Sequence, residues 1–235
     1  MNFSLPKREE ILNTYKYLRV ADVRDGLDWI GYGLYGSMSE KMRPLWRTRA
    51  TGFAKTARYI PFSGPLPQKT AESYSEWSDW YYGNVCVYPW MEEIEKYDFC
   101  VLDMSNLRVG LLGSNNAMGG YRSGAAGYAA YGGVRDTDEL ILQKIPFWST
   151  KIAQPMVQSR IQYESHNTKI NCDGVCVSPG DLIVADGDGI VVVPAELIND
   201  VAKWAEKEMI GDRAGRRALY ADLGIPMDET VEKIN

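Results

Sequence analysis

Arginine and aspartate stand side by side in the segment Gly132-Gly-Val-Arg-Asp136. A predicted strand precedes this segment and a predicted helix follows it, and ligands of α/β folds gather at the carboxyl ends of strands. The guanidinium of Arg135 could bind a substrate carboxylate or carbonyl oxygen at two points. The carboxylate of Asp136 could hold a divalent cation, because magnesium and manganese prefer oxygen ligands. The structural alternative is a surface arginine beside an aspartate that caps a helix.

A second candidate is a Gly-Ser-Asn-Asn segment that precedes a predicted helix over residues 114–122. Its members are Gly113, Ser114, Asn115 and Asn116. The free N–H groups of a helix's first turn, together with the positive end of its dipole, favour a carboxylate ligand. We therefore predict that these four amides bind the substrate. The same residue types are also common in turns, which is the structural alternative.

Two further patterns resemble metal-binding motifs, but their spacing does not fit a metal site. The Asp/Gly alternation over residues 186–189 lacks the glutamate that an EF-hand needs at its twelfth position, so a tight hairpin between two buried strands is favoured. Cys172 and Cys176 have no second Cys/His pair, and His166 is the chain's one histidine. The cysteines are therefore expected to be ordinary buried thiols rather than zinc ligands.

The composition limits the classes of partner. The chain has 235 residues, 45% of them hydrophobic, and a net charge of -5. One large domain over 1–235 is expected, and the acidic balance argues against a nucleic-acid partner while allowing a small anionic substrate. No apolar leader and no run of about 18 apolar residues is present, so neither a secretory signal nor a membrane span is predicted. A cytoplasmic location is expected.

The elements that must position the candidate residues follow an α/β pattern. A helix followed by a turn is predicted over residues 7–30, and a second helix, capped by Thr137, over residues 137–143. A long amphipathic helix is predicted from Pro194, with Leu197, Val201 and Trp204 on one face. Strands are predicted at 50–59, 99–103, 125–131, from 146, and at 168–171, 175–177, 182–185 and 190–193.

Residues 60–95 differ from this pattern. They contain Pro, Gly and Ser and then seven aromatic residues, so we predict a long connection dense in aromatic side chains. A contact between subunits is favoured over stacking on a substrate, and a satellite core is the structural alternative. The aromatic residues are Tyr74, Trp77, Trp80, Tyr81, Tyr82, Tyr88 and Trp90.

Taken together, the motifs resemble the RraA-like family. They are the glycine at 113, the Gly-x-Val-Arg-Asp ending at 136, and Pro-Gly-Asp ending at 181 before the Asp-Gly-Asp-Gly-Ile-Val-Val-Val-Pro run that ends at 194. The spacing between Gly113 and Arg135 is also similar. The resemblance runs from about residue 97 to the end, with fainter matches at Val23-Arg-Asp-Gly-Leu27 and Gly52-Phe-Ala-Lys-Thr56.

The resemblance implies an α/β fold of the three-layer swivelling-domain type, with sheets, helices and a long C-terminal helix. It implies that the amides of residues 113–116 bind the carboxylate of a small 2-oxo acid and that Arg135 binds the 2-oxo oxygen and stabilises the enolate. It further implies that Asp136 ligates Mg²⁺ or Mn²⁺, mostly through water. The expected assembly is a trimer or hexamer with its active sites between subunits.

Two departures from the family pattern concern the substrate. Many family enzymes carry an acid directly after the glycine, where this chain has Ser114, and residues 60–95 are longer and more aromatic than usual. The aldolases also use an acid from a neighbouring subunit's C-terminal helix, for which Glu208 is the candidate here.

Three functions stay open from the sequence. The first is a metal-dependent aldolase or decarboxylase that releases pyruvate. The others are a non-enzymatic regulator resembling the ribonuclease E inhibitor, and a lyase that acts on a sugar-derived oxo acid with the aromatic segment as a platform.

Overall fold

The computed structural model describes residues 3–66 and 71–232. Its helices are α1 (Leu5–Tyr15), α2 (Val20–Trp29), α3 (Ala71–Asn84), α4 (Pro89–Glu92), α5 (Ser114–Ser123), α6 (Thr137–Leu142) and α7 (Ile198–Leu223). Its strands are β1 (Arg43–Pro44), β2 (Ala50–Pro61), β3 (Asp98–Asp103), β4 (Gly110–Leu112), β5 (Gly127–Val134), β6 (Phe147–Ile152), β7 (Ile161–His166), β8 (Ile170–Cys172), β9 (Val175–Val177), β10 (Leu182–Asp186) and β11 (Gly189–Val193).

One large sheet carries nine of these strands in the order β1-β6-β5-β3-β2-β10-β11, with β4 beside β5 and β7 beside β2. Its centre, β6-β5-β3-β2, is parallel. The strands β1, β7, β10 and β11 join antiparallel. The parallel strands end at one common edge of the sheet, which is the edge where an α/β fold holds its ligands.

The sheet is covered on both faces, which gives three layers. Alternate residues of β3 separate the two faces: Cys100 and Leu102 pack toward α3 to α6, whereas Phe99 and Val101 pack toward the small β8-β9 hairpin. In a third hydrophobic cluster, α1, α2 and α7 pack against β10 and β11. The α/β architecture with a long C-terminal helix is therefore confirmed.

Most predicted strands are present, and several predictions about local structure are wrong. Residues 7–30 form two helices separated at residues 16–19, and the long helix begins at Ile198 after a 3₁₀ turn at Ala195–Leu197 rather than at Pro194. Thr137 does not cap α6, because the N-cap residue is Asp136. Cys176 is exposed, while the other three thiols are buried.

The aromatic segment is mainly core. It contains α3 and α4 rather than an irregular connection, and Tyr81 and Trp90 are fully buried in the cluster under α3 to α6. Trp77 lies between them and the surface, with its ring centroid 4.9 Å from that of Tyr81. Of the seven aromatic side chains, Trp80 and Tyr82 are the ones exposed enough for the expected contact between subunits, at 50% and 40%. Residues 67–70 lie outside the described part.

The Asp/Gly motif near the C-terminus forms the predicted hairpin. Asp186 pairs with Gly189 at the turn between β10 and β11, and its carboxylate accepts the Val20 amide at the start of α2. The carboxylate of Asp181 accepts the amides of Ser178 and Ala195, and burial raises its pKa. These acids are structural. Within the described residues, no helix is long and apolar enough to span a membrane.

Candidate active site

Arg135 and Asp136 lie where β5 ends at the carboxyl edge of the parallel strands. The short strand β4 pairs with the last residues of β5, so that the segment after β4 runs beside them. The side chain of Arg135 passes directly over Gly110 of β4, where an added Cβ would lie 2.7 Å from the arginine Cδ. Only glycine leaves room for this path, and no motif in the sequence marks Gly110 as a site residue.

Asp136 is held in an uncommon conformation. Its φ is 55° in the left-handed region, which costs an L-residue about 1 kcal/mol or more. It occupies the N-cap position of α6, yet its side chain makes no capping hydrogen bond. The carboxylate turns instead toward α5, where Oδ2 accepts the backbone amide of Ser114 at 3.1 Å. The alternative in which Asp136 caps its own helix is therefore wrong.

Gly113 makes this approach possible. A Cβ at residue 113 would lie 2.1 Å from the Asp136 Oδ2, far inside contact distance. The backbone of Gly113 is extended, with a φ of -120°, so glycine is needed for space rather than for its conformation. Gly113, Ser114, Arg135 and Asp136 thus come together as the sequence predicted.

The remaining members of the predicted amide site lie in the first turn of α5. The amides of Asn115 and Asn116 donate no hydrogen bond within the described residues, whereas the Ser114 amide is engaged by Asp136. Asn115 is exposed and Asn116 is half-buried. Two free amides at the positive end of a ten-residue helix are therefore available to an anion.

Arg135 carries an unsatisfied donor. Its Nε is buried and has no hydrogen-bond partner among the residues that the structure describes. The nearest acid oxygen, Oδ1 of Asp136, is 3.8 Å away, beyond hydrogen-bond distance. A buried unpaired donor costs about 1–3 kcal/mol, so its retention points to an oxygen supplied from outside the chain.

The donor set fits a hydrated divalent cation of the magnesium type. No group of three or more His, Cys, Asp or Glu side chains lies together within the described residues, so a metal enclosed by protein ligands is not formed there. Mg²⁺ is commonly bound through one or two carboxylates and keeps several waters. Asp136 supplies one such carboxylate, and its Oδ1 makes no hydrogen bond within residues 3–66 and 71–232.

Glu208 lies on an acidic surface formed by α2 and α7. Its carboxylate accepts the indole N–H of Trp29 at 2.7 Å, within its own chain. Asp25 is close to it: burial and then the neighbouring carboxylates, with Glu208 first among them, raise the pKa of Asp25. Within the described residues, no hydrogen bond or ion pair joins this surface to Arg135 or Asp136.

The chain matches the RraA-like family model and proteins named as aldolases. The family model described as RraA-like, Aldolase/RraA, matches residues 20–192. A relative from Halalkalibacterium halodurans, provisionally named a 4-hydroxy-4-methyl-2-oxoglutarate aldolase, is 30% identical over 139 residues, which are 58% of this chain and 65% of that protein. The 4-hydroxy-4-methyl-2-oxoglutarate aldolase of Thermus thermophilus is 33% identical over 90 residues, 38% of this chain and 54% of that protein.

These matches span between about half and just under two thirds of the two relatives. Among solved structures, Streptomyces coelicolor RraAS2, described as an unusual member of the RNase ES inhibitor RraA protein family, superposes with a TM-score of 0.71 at 23% identity. That superposition covers 88% of this chain and 96% of RraAS2, and it shows a shared fold. Proteins named as aldolases therefore match part of this chain in sequence, and a member of an inhibitor family shares its fold.

Proposed function

Because this chain belongs to the RraA-like family, we propose that it is a divalent-metal-dependent lyase that cleaves a carbon–carbon bond in a small 2-oxo acid. The observation that carries the proposal is the buried, unpaired Nε of Arg135 beside the carboxylate of Asp136. An arginine donor without a protein acceptor, next to a metal-type carboxylate, suits a substrate that carries its own oxygens.

The chain's own groups suggest how such a substrate is held. Its carboxylate would accept the free amides of Asn115 and Asn116 at the start of α5. Its 2-oxo oxygen would accept a hydrogen bond from Arg135, whose path over Gly110 fixes the direction of the guanidinium. The substrate would thus be bound at its carboxylate and at the 2-oxo oxygen, which distinguishes a 2-oxo acid from an ordinary carboxylic acid.

Arg135 would also supply the main electrostatic contribution from this chain. Carbon–carbon cleavage leaves an enolate, and the negative charge that develops on its oxygen lies against a fixed positive group. Removing one such preorganised donor from an enzyme costs on the order of 10²–10³ in rate. Proton transfer to the pyruvate enolate completes an aldolase or decarboxylase reaction.

Asp136 would hold Mg²⁺ or Mn²⁺, and the metal, when bound, would act as a Lewis acid toward the 2-oxo acid. The amide of Ser114 fixes Oδ2 of Asp136 and leaves Oδ1 for the cation. Ser114 stands where many family members have an acid. The position of the metal therefore depends more on Asp136 here than in those relatives.

The assembly that we propose is a trimer or hexamer whose active sites lie between subunits. Large apolar side chains are exposed on the elements around Asp136, and such patches usually mark contacts. The most exposed are Leu142 on α6 and Ile152 at the end of β6, at 82% and 57%. A neighbouring copy seated there could present the acidic surface that carries Glu208 and Asp25.

The test is release of pyruvate from a panel of 2-oxo acids, with EDTA and with Mg²⁺ or Mn²⁺. The panel includes 4-hydroxy-4-methyl-2-oxoglutarate, oxaloacetate and a sugar-derived 2-oxo acid. Metal-dependent release from any of them supports the proposal, and the preferred substrate decides among the lyases. For the sugar-acid alternative, the whole aromatic segment cannot serve as the substrate platform, because Tyr81 and Trp90 are buried in the core. No turnover of any member would favour the regulatory alternative.

A further inference from the structure

A polar cavity of about 480 Å³ lies at the carboxyl edge of the sheet, lined by none of the residues assigned to the proposed active site. Its walls come from β5, β6, the segment after β3, the loop before β1 and the turn of the β8-β9 hairpin. The edge where parallel strands end is the usual ligand position of an α/β sheet. The side chains that line it are polar on every wall.

Two donors in the cavity are uncommitted. The hydroxyl of Tyr131 and the ammonium of Lys41 make no hydrogen bond or ion pair within the described part of the chain. Lys151 donates one hydrogen bond, to the backbone oxygen of Asn106 at 2.5 Å. Because an ammonium carries three protons, Lys151 keeps two for a ligand.

Acceptors face the same space. Oδ2 of Asp173 accepts both the amide and the hydroxyl of Ser39, at 2.8 and 2.7 Å, which leaves Oδ1 without a partner among the described residues. The carboxylate of Glu40 makes no ion pair in that part of the chain either. The formal charges of the two lysines and the two acids cancel, so the cavity suits a ligand of low net charge.

One wall of the cavity has its backbone in an uncommon conformation. Ser105 and Asn106, after β3, have φ values in the left-handed region, 51° and 54°. The φ of Asp173 is 51° as well, but Asp173 precedes Gly174 in the two-residue turn of the β8-β9 hairpin, where such values are ordinary. Non-glycine residues in this region cluster at ligand sites, where the surrounding structure maintains them. Here the strained segment places the Asn106 oxygen so that it fixes Lys151.

We propose that this cavity binds a small monocarboxylate that carries several hydroxyl groups, of the sugar-acid type. Lys41 and Lys151 bind its carboxylate, because the two ammonium groups are the only cations that line the cavity in the described structure. Tyr131, Glu40 and Asp173 bind its hydroxyls, which act as both donors and acceptors. Binding requires neither Arg135 nor a metal, so it is independent of the proposed lyase activity.

The test is titration of EDTA-treated full-length protein with D-gluconate, followed by calorimetry and ligand-observed NMR. Hexanoate serves as the probe of equal carbon number without hydroxyls. Gluconate binds, and hexanoate binds at least about tenfold more weakly. Tyr131→Phe removes one hydroxyl and weakens gluconate binding by about three- to tenfold, the equivalent of one hydrogen bond. Lys151→Met weakens it by about tenfold or more.

Matched variants keep the proposal falsifiable. Tyr121→Phe and Lys169→Met change exposed residues outside the cavity and leave gluconate affinity unaltered, as does Arg135→Met. No saturable gluconate binding at about 10 mM would overturn the proposal, as would equal affinity for hexanoate. Loss of binding in Arg135→Met would place gluconate at the candidate active site instead and would overturn the proposal.

Discussion

Substitution of Gly113 by alanine tests the geometry of the site without removing any chemical group. The new Cβ would stand 2.1 Å from Oδ2 of Asp136, whereas ordinary contact begins at 3.4 Å, so the carboxylate must move by about 1.3 Å (3.4 − 2.1). The carboxylate is the end of a flexible, 41% exposed side chain, so the protein can fold around the change. The hydrogen bond from the Ser114 amide to Asp136 is then lost.

The expected magnitudes separate folding from function. Loss of that hydrogen bond costs about 1 kcal/mol, and alanine at an N-cap costs about 1 kcal/mol more. For a chain of this size about 2 kcal/mol lowers the Tm by roughly 4–8 °C. Displacing a metal-binding carboxylate by more than 1 Å can cost about 100-fold in rate. Gly113→Ala should therefore remain folded and lose about 100-fold in kcat/KM.

The assay is metal-dependent pyruvate release at a temperature well below the variant's Tm, with circular dichroism as the check on folding. Ser114→Ala is the matched control: it keeps the backbone amide and removes a hydroxyl that makes no hydrogen bond in the described structure. The control should retain activity within about twofold, since it leaves every proposed contact in place. Near-normal turnover by Gly113→Ala would refute the role of this close approach.

Three further outcomes follow from the structure. Arg135→Lys should lose about 100-fold in kcat/KM with the fold retained, because an ammonium cannot make a planar two-point contact; near-normal efficiency would make Arg135 structural. Leu142→Glu should reduce the mass found by light scattering, and a wild-type monomer would contradict the proposed assembly. Lys55 and then His166 hold the pKa of Glu93 at about 2. This depressed pKa stabilises the fold above about pH 4.5 and the stabilisation is lost as pH falls toward 2. Glu93→Gln should therefore destabilise the protein modestly at pH 7 and less at pH 3, as urea unfolding would show.

The fold and the grouping of most candidate-site residues could be predicted from the sequence, because each depends on a local pattern. Strand runs such as residues 99–103 and 190–193 and the Arg-Asp pair after β5 can be recognised without coordinates. The hydrogen bond between Asp136 and Ser114 could not, because the two are 22 residues apart and meet only when β4 pairs with β5. The role of Gly110 depends on the same pairing.

The helix in the aromatic segment could have been predicted from the spacing of its aromatic residues. Tyr74, Trp77 and Tyr81 are spaced by three and four residues, which is helical spacing, and their rings contact one another in sequence along α3. Aromatic content alone suggested a contact between subunits, whereas the spacing indicated a buried helix face. For Glu208 no local signal exists, because its partner Trp29 lies 179 residues away.

The most direct test of the central claim is Mn²⁺ binding by Asp136→Asn, measured by electron paramagnetic resonance alongside turnover. Asp138→Asn is the matched control, since Asp138 is an exposed acid two residues further along α6. We predict that the wild type and Asp138→Asn bind Mn²⁺ in the presence of pyruvate and release pyruvate from substrate. Asp136→Asn should do neither while remaining folded. Unchanged Mn²⁺ binding and turnover in Asp136→Asn would contradict the assignment of this site.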